Sequence, residues 1–217
     1  MRPTCTRTQG TSVGSRQTTV PDALAVSTRG AQRFLADRGV GSHWVPLGYD
    51  AGWFGRNLRL SERDVDVLFL GDLHLGRRRR ILRRIERAGA RVLAPGSWTD
   101  PRGWGESRAQ LLKRAKIFLH VTRSQGSLSD LRMLLGMGNG ALVVSEPIDD
   151  PAPYEPGVHF VEAPPGGLEE AVVRALHDAA ERERIVRTAE ASVTQELTME
   201  RSVAALHGLL RSRARVG

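Results

Sequence analysis

The feature that most constrains this chain is an alternation that begins at Val65. Five short apolar runs, "VDVLFL" (65–70), "RVLA" (91–94), "IFLHV" (117–121), "ALVVSE" (141–146) and "HFVEA" (159–163), are separated by segments of different periodicity. The first separator, "RRRRILRRIERAGA", places Ile81, Leu82, Ile85 and Ala88 on one helical face and arginines on the others. "GESRAQLLKRAK" (105–116) and "SDLRMLLGMG" (129–138) read as two more helices, the second capped by Ser129 or Asp130. From Gly167 onward the chain reads as helix in three pieces. Short buried strands alternating with amphipathic helices imply a parallel sheet covered on both faces. The expected fold is therefore a doubly wound, mostly parallel α/β domain of Rossmann-like type, roughly 150 residues long, with a helical C-terminal tail.

In open sheets of this kind ligands bind outside the carboxyl ends of the strands. The rule selects Gly71–Arg80, His120–Ser127 and Glu146–Gly157 as candidate binding loops. The third contains Pro147, Pro151, Pro153 and Pro156, and reads either as one wall of a binding pocket or as a stiffened surface connection. "GMGNG" (136–140) looks like a dinucleotide fingerprint but has the wrong polarity, because it closes a helix and opens a strand instead of the reverse. It is better suited to a helix C-cap and to close packing of helix on sheet. The adjacent acids Asp149 and Asp150 have no histidine or third acid near them in sequence, so no metal site is expected.

Charge is concentrated rather than spread. Of the net +8, residues 77–88 carry seven Arg and one Glu, and residues 1–60 carry eight Arg and three Asp. Arginines in the first turn of a helix oppose its dipole, unless an anion lies there to bind both the guanidiniums and the open N–H groups. Arg77–Arg80 are thus candidates for a phosphate or diphosphate site, with Arg78 and Arg79 the expected pair; a solvated basic face is the alternative. A nucleic-acid-associated protein is the least supported reading, since no recognition helix, zinc spacing or aromatic platform accompanies the cluster.

No apolar run approaches the ~20 residues of a membrane helix, and no membrane span is expected. The first 20 residues lack the apolar block of a secretory signal and read as a disordered leader. A single cysteine, Cys5, excludes an intramolecular disulfide framework and suits a reducing compartment, so a cytoplasmic location is expected.

The run "LLKRAKIFLHVTR…LRMLLGMGNGALVVSEPIDDPAPYEPGVHFVEA…LEEAVVRALHDAAERERI…TMERSV" resembles the donor-binding, C-terminal half of a GT-B glycosyltransferase. In particular it is similar to the glycosyltransferase-like family that includes the spore-maturation protein CgeB. Upstream, "AVSTRGAQRFLADRGV…WVPLGYD" resembles the end of an acceptor half followed by a hinge. The resemblance implies a leader and acceptor-domain remnant over 1–43, a hinge over 44–60 and a nucleotide-sugar-binding domain over 61–217. It further implies that Gly71, Asp72, Arg78, Arg79, His120, Arg132, Glu146, Gly157 and His159 face a nucleotide-sugar donor, which is a substrate and not a resident cofactor.

Two departures bear on activity. Ser127 and Leu135 stand where relatives often carry a pair of glutamates eight positions apart, and most of an acceptor half is missing from the sequence. The readings kept open are transfer of a glycosyl group to an unidentified acceptor, with a partner chain completing the acceptor side, and non-catalytic nucleotide or nucleotide-sugar binding. No catalytic residue is assigned, and the donor nucleotide, sugar and acceptor are not specified by the sequence.

Overall fold

A computed structural model of the chain describes residues 23–51, 62–96 and 99–213. The main sheet has five strands: β3 (Val65–Leu68), β4 (Val92–Leu93), β5 (Ala115–His120), β6 (Leu142–Ser145) and β7 (Val161–Glu162). Their order is β4-β3-β5-β6-β7, and every pairing is parallel. The expected doubly wound sheet is present, with all carboxyl ends on one edge.

The strand residues alternate between two cores. Val67, Phe69, Ile117, Leu119 and Val144 face one layer, which contains helices α2 (Gly76–Arg87) and α5 (Leu168–His177). Leu68, Phe118 and Val143 face the other, with α3 (Gly105–Arg114) and α4 (Asp130–Gly138), while α6 (Ala179–Ala191) reaches both, Ile185 and Val186 into the first core and Ala189 into the second. Ile117, Phe118 and Leu119 are consecutive and all fully buried. That is why the sequence shows a continuous apolar run here and no in–out alternation.

Several boundaries move. Ala115 and Lys116 belong to β5, not to the preceding helix, because Ala115 pairs with Val65 and Lys116 Nζ reaches Asp66 Oδ1 at 2.7 Å. Buried Arg63 fixes this change of structure. Its guanidinium donates to the carbonyls of Leu112 and Ala115, and, at 2.8 Å, to that of Asn139. The outer strands shrink to two residues each, Val92–Leu93 and Val161–Glu162. "GMGNG" does close a helix before a strand. At Gly136 a Cβ would come within 2.6 Å of Val143 Cγ2, so helix and sheet approach more closely than an alanine allows.

The tail forms three helices, with a wide turn over Ser192–Glu196 between α6 and α7 (Met199–Arg213). Upstream, β1 (Ala25–Val26), α1 (Arg29–Ala36) and β2 (His43–Trp44) form a small parallel β-α-β unit. Trp44, expected at the start of a hinge, is therefore part of a strand. Tyr49 exchanges backbone hydrogen bonds with Leu197 and Met199, tying this unit to the start of α7. The expectation for the first 20 residues, and that for 52–60 of the hinge expected over 44–60, lie outside the described residues. No helix among the described residues is long and apolar enough to cross a membrane.

Candidate functional site

The chain leaves β3 for β4 on one side and returns through α3 to β5 on the other. Connections diverge at such a switch point and open a crevice at the carboxyl edge. Helix α2 begins beside that crevice at Gly76. Its N-cap is Leu75, whose side chain cannot cap, and its first turn contains no acidic residue. The first N–H groups of the helix are left without the usual side-chain acceptor.

Arg78 and Arg132 enter the crevice from two different helices. Their guanidinium carbons lie 5.5 and 5.3 Å from the centroid of the buried Phe69 ring. Arg78 donates to the Asp72 carbonyl and Arg132 to the Val121 carbonyl, both at 3.2 Å. Neither forms an ion pair among the described residues. Burial lowers the Arg132 pKa to about 10, and the nearby Arg78 charge adds to the effect. Arg78 is lowered by burial, then by Arg123 and Arg77. Two cations packed on one aromatic ring, without a carboxylate, form a site that gains from an anion. Gly71 permits the arrangement, since a Cβ there would meet Arg132 Nη2 at 2.5 Å and Phe69 Cζ at 2.9 Å.

One carboxylate at this edge is already engaged. Glu146, at the end of β6 and almost fully buried, accepts both Nη atoms of Arg77, the second at 3.2 Å. It also accepts the Thr122 N–H at 3.0 Å. Arg77 thus neutralises Glu146 and leaves Arg78 and Arg132 in excess. Asp72 lies at the rim, with its carboxylate turned to the His74 N–H at 2.9 Å, and that hydrogen bond holds its pKa below the usual value. His120, at the end of β5, is completely buried. Burial, reinforced by Arg132 and then Arg78, lowers its pKa to about 3, so its ring is neutral.

Next to the arginines, a cavity of about 200 Å³ is lined by Leu70, Gly71, Pro95, Trp104, Leu131 and Arg132, among others. It is mainly apolar, and Trp104 at its margin is half exposed. Among the described residues no group of three His, Cys, Asp or Glu side chains converges as a metal site would require.

The structure therefore brings Gly71, Asp72, Arg78, His120, Arg132 and Glu146 to one edge. It does not bring Arg79 with them: that side chain is exposed, one helical step from the buried face. Gly157 and His159 also lie elsewhere. Because β7 is parallel to β6, with Val161 opposite Val144, the chain must first return toward the amino edge. His159 lies in the turn that precedes β7, on the amino side of Val161. Its contacts there are with Glu155, and the Gly157 carbonyl accepts from Arg184 of α6. Only the first part of the proline-rich loop borders the carboxyl edge, where Glu146, Pro147 and Asp149 line a shallow pocket with Gly126.

The sequence reading missed Trp104, Pro95 and the role of Arg77. The rule that selected three loops applies equally to the one after "RVLA", whose "PGSWTDPRGW" carries the glycine, proline and tryptophan that line the cavity. The Arg77–Glu146 pairing spans 69 residues, and no local pattern announces it.

A five-stranded parallel sheet wound in this order, with a cationic crevice at its carboxyl edge, has the α/β fold of GT-B glycosyltransferases. The glycosyl transferase-like family profile matches residues 77–208, and the chain belongs to that family. Among solved structures, HepE of Anabaena in complex with UDP is 15% identical with a TM-score of 0.65, over 88% of this chain and 64% of that one. TarM of S. aureus is 11% identical with a TM-score of 0.66, over 86% of this chain and 43% of that one. The C-terminal domain of a group 1 glycosyl transferase from Francisella tularensis is 11% identical with a TM-score of 0.52, over 70% of this chain and 100% of that domain. At such identities the likeness is one of fold. The chain spans less than two thirds of the length of HepE and of TarM. None of the curated proteins matches its sequence.

Proposed function

We propose that this chain binds a nucleotide-sugar through its diphosphate and serves glycosyl transfer to an acceptor, as a member of the CgeB-like branch. The observation that carries the reading is the Arg78–Arg132 pair, one guanidinium buried and the other half-buried, neither in an ion pair among the described residues, beside the N-terminus of α2, which no side chain caps. The diphosphate takes the place of the missing counter-ion. The nucleoside extends into the apolar cavity at Trp104. Support also comes from HepE, which has been solved with UDP and with UDP-glucose. In transfer, the bond from the sugar's anomeric carbon to the diphosphate oxygen breaks and its electron pair stays on the diphosphate. Arg78, Arg132 and the α2 N–H groups stabilise that developing charge. The β1-α1-β2 unit is proposed as the end of an acceptor half, contributed by further chain or by a partner.

The second reading, binding without turnover, is favoured by one observation. Leu135 is a buried leucine at the cavity wall where relatives often place a carboxylate. A calorimetric panel of UDP-, GDP- and dTDP-sugars tests the binding proposal, and failure of every member to bind overturns it. Release of nucleoside diphosphate in the presence of acceptor glycans separates the two readings.

A further inference from the structure

A hydrogen-bond chain fixes the chemistry of the buried His120. Ser145 Oγ lies 2.6 Å from the Glu146 carbonyl oxygen, and a carbonyl cannot donate, so the serine proton points there. That proton is the only one the hydroxyl has. The 2.9 Å contact between Ser145 Oγ and His120 Nδ1 must therefore run the other way, with Nδ1–H as donor. Since the ring is held neutral, Nε2 carries a lone pair and no proton. Nε2 is buried, and no described residue pairs with it. The Nε–H of Arg78 is buried and unpaired in the same way.

An unpaired acceptor beside two unpaired cations discriminates between ligand groups. Phosphate oxygens, ionised at neutral pH, satisfy the arginines but have no proton to offer Nε2. A hydroxyl both donates and accepts, and so can serve His120. Position along the edge says which hydroxyl. The apolar cavity lies between the ends of β3 and β4 and the helices α3 and α4, Arg132 stands at its wall and reaches the end of β5, and the His120–Ser145 contact lies further along, joining β5 to β6. A ligand stretched along this edge has its anion in the middle. What lies beyond, toward β6, is the group esterified to the diphosphate.

We infer that His120 is a specificity-determining residue that accepts, at Nε2, a hydrogen bond from a hydroxyl of the donor's glycosyl group. The inference rests on the nucleotide-sugar reading above. Because His120 is fully buried, it also requires Arg78 and Arg132, whose charges act on the ring, to turn onto the diphosphate and leave Nε2 accessible. A merely structural histidine would be indifferent to the sugar.

The experiment compares UDP with UDP-glucose, or the corresponding pair for whichever nucleotide-sugar of the panel binds best, by calorimetry on the full chain. His120→Phe keeps the ring volume and removes the acceptor. Its expected effect is an affinity loss of about three- to tenfold for the nucleotide-sugar, the range of one neutral hydrogen bond, with less than about twofold for the free nucleotide. Equal losses for both overturn the inference, as does no loss for either. Should the variant misfold, the wild-type ring answers the question through its ¹⁵N resonances. Nε2 is expected to resonate as an unprotonated nitrogen and to move on adding UDP-glucose but not UDP. A protonated Nε2, or one that stays unmoved by a nucleotide-sugar that binds, refutes the assignment. If no nucleotide-sugar binds, it is the broader proposal that has failed, and this one falls with it.

Discussion

Arg77 and Glu146 form a two-pronged ion pair that joins the first turn of α2 to the end of β6, across the carboxyl edge of β5. The carboxylate is almost inaccessible while the guanidinium is about a quarter exposed. The two partners are therefore not equivalent. Removing the arginine strands a buried charge, and breaking a buried pair costs more than the pair contributes. Arg77→Ala is expected to lower stability by roughly 2 kcal/mol, less than a fully buried pair would lose because water can reach the vacated side. Glu146→Gln, which keeps an acceptor for the Thr122 N–H, is expected to cost less. Urea denaturation at neutral pH measures both.

Arg63 is a structural staple. It is buried, and burial lowers its pKa to about 10, yet it holds three carbonyls from the end of α3, the start of β5 and the end of α4. Arg63→Ala leaves those oxygens buried without this donor. A loss of about 3 kcal/mol is expected, with nucleotide affinity unchanged per folded molecule. Arg63→Lys recovers only part, since one ammonium cannot span three acceptors in the guanidinium's fork geometry.

Asp130 opens α4, and burial raises its pKa to about 6, opposed by the neighbouring Ser27 side chain; the buried Tyr154 hydroxyl is raised in turn, first by burial and then by Asp130. The folded chain thus binds this proton more tightly than the unfolded chain does. Its contribution is fully present below the ordinary carboxylate pKa and is lost as pH rises through about 6. Asp130→Asn is expected to flatten stability between about pH 4 and 6 and to raise it by about 2 kcal/mol at pH 7.5. Thermal melts across that range check the sign. A wild-type profile that rises instead contradicts it.

The strands of the main sheet were legible because a parallel sheet buries both faces, so Ile117–Leu119 of β5 and Leu142–Val144 of β6 appear as unbroken apolar stretches and β3 as one interrupted only by Asp66. The ends were less so. Nothing local distinguishes Ala115–Lys116 as strand from a further half-turn of helix; pairing with Val65 and the reach of Arg63, 52 residues away in sequence, decide it. In the site, Gly71, Arg78, His120 and Arg132 were legible from the carboxyl-edge rule together with family resemblance. Arg79 was not separable from Arg78 by composition, because only the helical phase turns one inward and the other outward. Gly157 and His159 were misplaced because the run of prolines says nothing about direction. Only the parallel pairing of β7 shows that the loop travels back across the sheet.

The last prediction sets stability against binding at Arg132. Its guanidinium is half-buried beside a second cation and donates a hydrogen bond to the Val121 carbonyl at 3.2 Å. Replacing a largely desolvated charge that has no ion-pair partner among the described residues by an apolar side chain of similar length removes a desolvation cost and a repulsion. Arg132→Met is therefore expected to stabilise the fold by about 1 kcal/mol, while weakening UDP binding at least tenfold, as loss of a charge-assisted contact to phosphate implies. Arg78→Met is expected to act in the same direction. Arg79→Met, on the exposed face of the same helix, is expected to leave both quantities nearly unchanged. Melting temperature and calorimetric affinity, read on the same samples at fixed salt, separate the cases. A destabilised Arg132→Met with intact UDP affinity makes Arg132 a core residue and removes the diphosphate site. A stabilised, non-binding variant is the signature of a charge kept for its ligand.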